Sequence, residues 1–262
     1  MATNKFTPKT VLLVPDIHAT PGDDLKRLDA MNDWVLDERK AKLDKIILIG
    51  DVFDFASLSL HDNHQPEWYE RSLGADAEIG LAALDKIIDL TDSVGLNPSK
   101  DVHFIEGNHE DRYNKWMKSD NRLLTSQFPK TVRALVQEER AYRLNYHAFL
   151  KPVLIYGTAF QHYHVSGVMN RPHAGERPAL SMLRQHHMSV VQGHKHTLDF
   201  AEHTRPDGSK LFAFICGAFV NPKTEFAYAG AARKLWWNGF HLLHFYAPGQ
   251  FDVESISLER IS

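Results

Sequence analysis

Residues 10–18 read TVLLVPDIH, an apolar run from Thr10 to Pro15 that breaks directly into Asp16-Ile17-His18. An uninterrupted apolar run of this length is the pattern of a strand buried on both faces, as in a parallel sheet. Asp24–Lys42 then carries Leu25, Leu28, Met31 and Val35 at helical spacing, with Trp34 and Leu36 alongside. Lys45–Ile49 (KIILI) is a second apolar run. Trp68–Leu90 is a second helical segment, with Leu81, Leu84, Ile87 and Ile88 as its inner face. Val102–Ile105 (VHFI) is a third run. Alternating strands and helices imply right-handed crossovers and a mainly parallel sheet. After Tyr142 the texture changes to short β-like runs: Val153–Ala159, Ser189–Gln192, Leu198–His203, Leu211–Cys216, Phe240–Tyr246 and Val253–Leu258. Asp207-Gly208 between two of them reads as a hairpin turn. The expected architecture is α/β: a four-layer α-β-β-α sandwich of two facing mixed sheets flanked by helices. Residues 1–262 are read as a single domain, with no repeat, low-complexity tract or linker.

Composition narrows the classes. With 43% hydrophobic and 24% charged residues, the chain is neither disordered nor fibrous. A net charge of −3 is no footprint for tight non-specific binding to nucleic acid. The single Cys216 sits in the apolar stretch 212–219 and reads as a buried small hydrophobe. The polar start of the chain lacks a signal-peptide core, and no apolar run reaches the ~18 residues of a membrane helix, so the expectation is a cytoplasmic protein with no membrane partner. The unusual feature is 16 histidines.

Each early strand ends in side chains that ligate metals: Asp16-Ile17-His18, then Gly50-Asp51-Val52-Phe53-Asp54, then Gly107-Asn108-His109-Glu110. Later, Gln161-His162-Tyr163-His164 and Gly193-His194-Lys195-His196 follow apolar runs in the same way. Ligands of open α/β sheets sit at the carboxyl ends of the strands, so these groups aim at one place. Residues two apart in extended chain share a side, which allows Asp16 with His18, and His194 with His196, to face one ion. Carboxylate plus imidazole without cysteine suits Mn, Fe, Zn, Co or Ni rather than calcium or a structural zinc.

The ordered set Asp-x-His, Gly-Asp-x-x-Asp, Gly-Asn-His-Glu, a His after a strand, and Gly-His-x-His resembles the calcineurin-like metallophosphoesterases, over blocks running from Asp16 to His196. The resemblance implies two divalent metal ions, Mn2+ first, with Fe, Zn, Ni or Co as alternatives. Asp16, His18 and His196 would hold one ion. Asn108, His162 and His194 would hold the other, and Asp51 would bridge them. His164 is the alternative to His162, because the family often has His-Gly-His where this chain has His162-Tyr163-His164. His109 would face the substrate as a general acid, with Asp54 orienting it. Two ions ~3.5–4 Å apart can share a hydroxide of lowered pKa that attacks phosphorus in line.

The implied activity is hydrolysis of a phosphate ester, in first place a phosphodiester of nucleotide or nucleic-acid type. Phosphomonoesterase or phosphoprotein phosphatase activity is the alternative, and a non-catalytic scaffold of the same fold a third. Protein Ser/Thr phosphatases of the superfamily carry an arginine after the second block, where this chain has Phe55. The form Gly-Asp-x-Phe-Asp looks more like the branch with DNA-repair exonuclease subunits and related phage or bacterial phosphoesterases. No Gly-x-Ser-x-Gly elbow, P-loop or Gly-x-Gly-x-x-Gly fingerprint competes with this reading. Glu110, Asp111 and Arg112 open an apparent helix, where acids suit the dipole; for Arg112, phosphate contact and a solvated helix face are both open. His61, Asp62, His64, Trp68 and Tyr69 are candidates for a substrate rim. Trp236, Trp237, Phe240, Phe245 and Tyr246 read as core of the second sheet rather than a base-stacking surface. His103, His147, His186, His187, His241 and His244 receive no role, and the oligomeric state is not readable.

Overall fold

A computed structural model describes residues 6–38, 43–59, 71–119, 129–226 and 229–262. Period-two alternation builds its layers. In strand β1 (Lys9–Val14), Leu12 and Val14 join the apolar cluster under the helices, whereas Val11 and Leu13 join a cluster shared with the other sheet. Strand β2 (Lys45–Leu48) divides likewise, Ile46 and Leu48 against Ile47. Helix α1 (Lys26–Glu38) and helix α2 (Leu73–Ser93) cover that outer face with Leu28, Met31, Val35, Leu81, Leu84 and Ile87.

Strand β3 (Val102–Ile105) and strand β4 (Asn145–His147) extend the sheet in parallel. Among the described residues between β2 and β4 lie three further helices: α3 (Pro98–Asp101), α4 (Asn108–Ser119) and α5 (Val132–Arg140). The last two strands, β12 (Gly239–Ala247) and β13 (Gln250–Ser257), cross back to pair antiparallel beside β1. The resulting order is β13-β12-β1-β2-β3-β4. The short helix α7 (Leu258–Ile261) closes the chain.

The second sheet has the order β10-β11-β9-β6-β5, from β5 (Val153–Ile155), β6 (Thr158–Phe160), β9 (Ser189–Gln192), β10 (Leu198–Thr204) and β11 (Lys210–Cys216). Phe212, Phe214 and Cys216 of β11 face the first sheet, while Leu211, Ala213 and Ile215 pack under helix α6 (Pro178–His186). Helix, sheet, sheet, helix is the expected four-layer order. A small hairpin, β7 (Val165–Ser166) and β8 (Arg171–Pro172), stands apart from both sheets.

Several boundaries differ from the sequence reading. The run Val153–Ala159 is not one strand but two, folded back at Tyr156-Gly157 with φ values of 47° and 80°. Two consecutive left-handed residues match the twist of a tight hairpin. Helix α2 begins at Leu73, where the Ser72 side chain accepts the Ala75 N–H, and not at Trp68. Helix α1 is described over Lys26–Glu38, and the rest of the span expected to reach Lys42 lies outside the described residues. The Asp207-Gly208 turn is present, with Arg205 and Ser209 hydrogen-bonded across it and Gly208 at φ 82°. Cys216 is buried. The suggested rim, His61 to Tyr69, lies outside the described residues. No described helix is long and apolar enough to cross a membrane.

Candidate metal centre

The parallel strands β1, β2, β3, β6 and β9 all end at one edge of the facing sheets, and their following loops meet there. Asp16, His18 and His196 offer ligand atoms that lie within 4.8 Å of one another, and so do Asp51, His162 and His194. His18 Nε2 is 3.2 Å from His196 Nε2, and His196 Nε2 is 3.0 Å from Asp16 Oδ2. His162 Nε2 is 3.2 Å from Asp51 Oδ2 and 3.0 Å from Asn108 Oδ1. Asp51 Oδ2 also lies 3.6 Å from His18 Nε2, so this carboxylate stands between the two groups. His164 is not part of either group.

The chain bends sharply to make this convergence. Asp16, His18, Asp51, His194 and His196 have φ of 27°, 44°, 51°, 66° and 56°, all left-handed. Such conformations cost on the order of 1–3 kcal/mol each and persist where surrounding structure enforces them. Asp16 and His18 therefore meet through left-handed turns, not through the extended alternation expected from their spacing. The His18 N–H donates to the Asp51 carbonyl at 2.8 Å, which ties the first loop to the second. Close approach also needs glycine. A Cβ on Gly107 would collide with the Asp51 side chain, and one on Gly193 with Asp16 Oδ1.

Several neighbours hold the rings in place. His162 Nδ1 faces the Ile49 carbonyl at 2.9 Å, which leaves Nε2 for the cluster. Asp54 has a double task. Its Oδ1 is 2.8 Å from His18 Nδ1 and 3.2 Å from His109 Nδ1, and its backbone carbonyl accepts from His109 Nδ1 at 2.6 Å. The resemblance implied the His109 contact but not the one to His18.

Glu110 is the residue the sequence reading missed. It is fully buried, and its carboxylate accepts the N–H groups of Asp51, Val52, Phe53 and Gly107 at 2.8–3.0 Å. The signal was present, since a Glu three residues after the residue preceding a helix is half of a capping box. Here it clamps the Asp51 loop as well as the α4 terminus. Glu110→Ala strips four buried donors of their acceptor. It is expected to destabilise the protein by about 3 kcal/mol or more and to weaken divalent-ion binding roughly 10- to 100-fold. Chemical denaturation and metal titration check both values; wild-type stability would contradict this role.

Burial and charge act against each other in the cluster. Burial pushes Asp51 up, but His162, His109 and His18 beside it hold the carboxyl well below its ordinary range. Burial pushes His162 and His109 down, yet the Asp51 charge and hydrogen bonds to carboxylates raise both to about 9. Burial, helped by the His162 charge, takes His194 down to about 3. Burial likewise lowers His18 and raises Glu110 to about 7, the latter with the help of Asp51.

A cavity of about 300 Å³ opens between His18, Asn108, His109, Arg112, His194 and His196. Arg112 is on its wall rather than on a solvated face, with Nη1 3.2 Å from the Phe55 carbonyl and Nη2 3.4 Å from His109 Nε2. Trp236, read as core, instead packs edge-on against His196 at 4.0 Å between centroids. Phe240 and Phe245 are buried, but on β12 of the first sheet rather than in the second sheet as expected, because β12 pairs with β1, and Tyr246 is 43% exposed.

The calcineurin-like phosphoesterase family model matches residues 9–218. The chain belongs to the calcineurin-like phosphoesterase family. The match runs from β1 past β11 and takes in every residue of both ligand groups, so the phosphoesterase is a hydrolase whose buried His/Asp clusters could hold metal ions. Among solved structures, the crystal structure of Pseudomonas putida nuclease MPE is similar at 14% identity and a TM-score of 0.37, covering 93% of this chain and 87% of that one. A comparison with curated proteins found no match.

Proposed function

We propose that the phosphoesterase hydrolyses phosphodiesters of nucleotide or nucleic-acid type, using two divalent ions held on either side of Asp51. The observation that carries the metal reading is Asp16. Its Oδ1 is fully buried and has no hydrogen-bond partner, a position that costs stability unless a cation or water meets it. Carboxylates, imidazoles and one amide oxygen form a donor set that fits borderline divalent ions such as Mn, Fe, Zn, Co or Ni, and the family resemblance puts Mn2+ first among them. Asp16, His18 and His196 would hold one ion, Asn108, His162 and His194 the other, with Asp51 shared. Bound ions supply a nucleophilic water of lowered pKa and positive charge for the phosphate.

The remaining work falls to the chain. His109 Nδ1 is held by Asp54, so a proton for a leaving oxygen would come from Nε2, which lies 3.4 Å from Arg112 Nη2 on the cavity wall. With its pKa raised to about 9, the ring carries the proton that a departing oxygen needs. Asn108 lines the same cavity, where its amide NH₂ can donate to phosphate.

Phe55 supports the diester preference. It is buried, stacked on Phe53 at 5.1 Å and against Tyr113 at 5.2 Å, so the position after Asp54 offers no cation to grip a dianion. With added Mn2+, bis-p-nitrophenyl phosphate is expected to turn over with a higher kcat/KM than p-nitrophenyl phosphate. The reverse order would move the assignment to monoesters.

The metal reading has a pH signature. His162 keeps its proton up to about pH 9 in the metal-free chain, because Asp51 sits beside it. An ion that takes His162 Nε2 must displace that proton. Affinity then rises with pH up to about 9, by roughly tenfold per unit for each proton released. Calorimetric Mn2+ titrations at pH 6, 7 and 8 in buffers of different ionisation enthalpy test this. Affinity that does not change with pH would contradict it.

A further inference from the structure

A second histidine cluster lies outside the Asp51 groups. His164 packs against His186 with ring centroids 4.9 Å apart, and His173 packs against the same ring at 5.4 Å. His173 Nε2 is 3.3 Å from His186 Nε2. The pairs His18–His196 and His162–His194 show the same separations, 5.0 and 5.2 Å. Two imidazoles bound through nitrogen to one tetrahedral ion at 2.0–2.1 Å place their centres about 5 Å apart.

The nitrogens of this cluster are set for a ligand. His164 is 3% exposed, and its Nε2 is buried without a hydrogen-bond partner. A buried Nε2 without a partner is the atom of this ring that a ligand would meet. His173 is 1% exposed, and its Nδ1 is 2.9 Å from Ser181 Oγ, so Nε2 is the nitrogen turned to His186. His186, the last residue of α6, is half-buried.

We propose that His164, His173 and His186 bind an additional, structural divalent ion of the zinc type, separate from the Asp51 centre. Donors that are all neutral imidazoles suit Zn2+, Cu2+, Ni2+ or Co2+ and disfavour Mg2+, Ca2+ and Mn2+. Position gives the ion a purpose. His164 immediately precedes β7, and His173 immediately follows β8, so the two histidines form the base of the hairpin, joined by the His173 N–H to the His164 carbonyl at 3.4 Å. An ion shared with His186 fastens that base to α6. Asp16, His18 and His196, then Asp51, His162 and His194, and also His18, Asp54 and His109 each close within 4.8 Å, which this trio does not, so binding draws the hairpin tighter onto the helix.

The test uses the full chain, stripped of metal, equilibrated with Zn2+, freed of excess and analysed for metal. His186→Gln is expected to hold one Zn2+ fewer per chain than wild type, and His186→Cys, which keeps a ligand atom, to hold the wild-type amount. The result is a difference between variants, so it stands whatever the Asp51 centre contains. Amide exchange across Val165–Arg171 is expected to quicken in His186→Gln. Equal zinc content in wild type and His186→Gln would overturn the proposal. If His186→Gln misfolds by circular dichroism, histidine ¹⁵N spectra of wild type during the Zn2+ titration decide. Metal-type shifts of the His164, His173 and His186 Nε2 signals support the site, and unchanged signals overturn it.

Discussion

His109→Ala is expected to lower kcat on a dinucleotide by roughly 10²- to 10⁴-fold while the metal content of the purified protein stays at the wild-type level. The leaving group of a dinucleotide is a poorly stabilised sugar alkoxide, which gains most from a proton donated in the transition state. On bis-p-nitrophenyl phosphate the leaving oxygen is already stabilised by its ring, so the same substitution costs much less. That contrast separates proton donation from mere disturbance of the site, which would slow both substrates alike. The ring packs on His18 at 4.6 Å and forms a close group with His18 and Asp54, but it is not one of the residues proposed to hold an ion beside Asp51. An unchanged kcat on the dinucleotide would remove His109 from the acid role.

Asp51→Asn is expected to affect metal content as well as turnover. The carboxylate lies 3.2 Å from His162, 3.6 Å from His18 and 4.0 Å from His109, and its other oxygen accepts the His109 N–H at 2.9 Å. The amide keeps the shape and removes the charge. Metal content should fall by at least one ion per chain, and turnover by no less than the roughly 10²–10³-fold that follows loss of one preorganised electrostatic group. A second readout is independent of metal. His162 and His109 owe their raised pKa values of about 9 first to the Asp51 charge working against burial. Without that charge both should lose their protons at lower pH in the metal-free variant, as histidine NMR titrations would register. Wild-type metal content in Asp51→Asn would contradict the shared-ligand role.

The parts of the fold that were legible are those in which one local pattern carries the information. Buried parallel strands are continuous apolar runs, and β1, β2, β3 and β9 each end where polar donors begin. The order of those donor blocks is likewise local text. Residues brought together by left-handed turns were found for a different reason from the one that unites them, since φ at Asp16 or His196 is enforced by packing. Long-range partners were not readable. Nothing near Phe240 states that β12 pairs with β1, or near Asn145 that β4 joins β3. Asp54 and Glu110 each act on two loops far apart in sequence: the family resemblance implied His109 as a partner of Asp54, and neither its contact to His18 nor the Glu110 contacts to the Asp51 loop were readable. His164 could be told from His162 only once the second sheet was in place, since both follow the same strand.

The most direct test of the paired-ion centre is anomalous diffraction from crystals grown with Mn2+. The account predicts two manganese peaks about 3.5–4 Å apart, flanking the Asp51 carboxylate, one against Asp16, His18 and His196 and the other against Asn108, His162 and His194. A protein that binds Mn2+ with no peak in contact with Asp51, or with a single peak beside it at saturating metal, would contradict it.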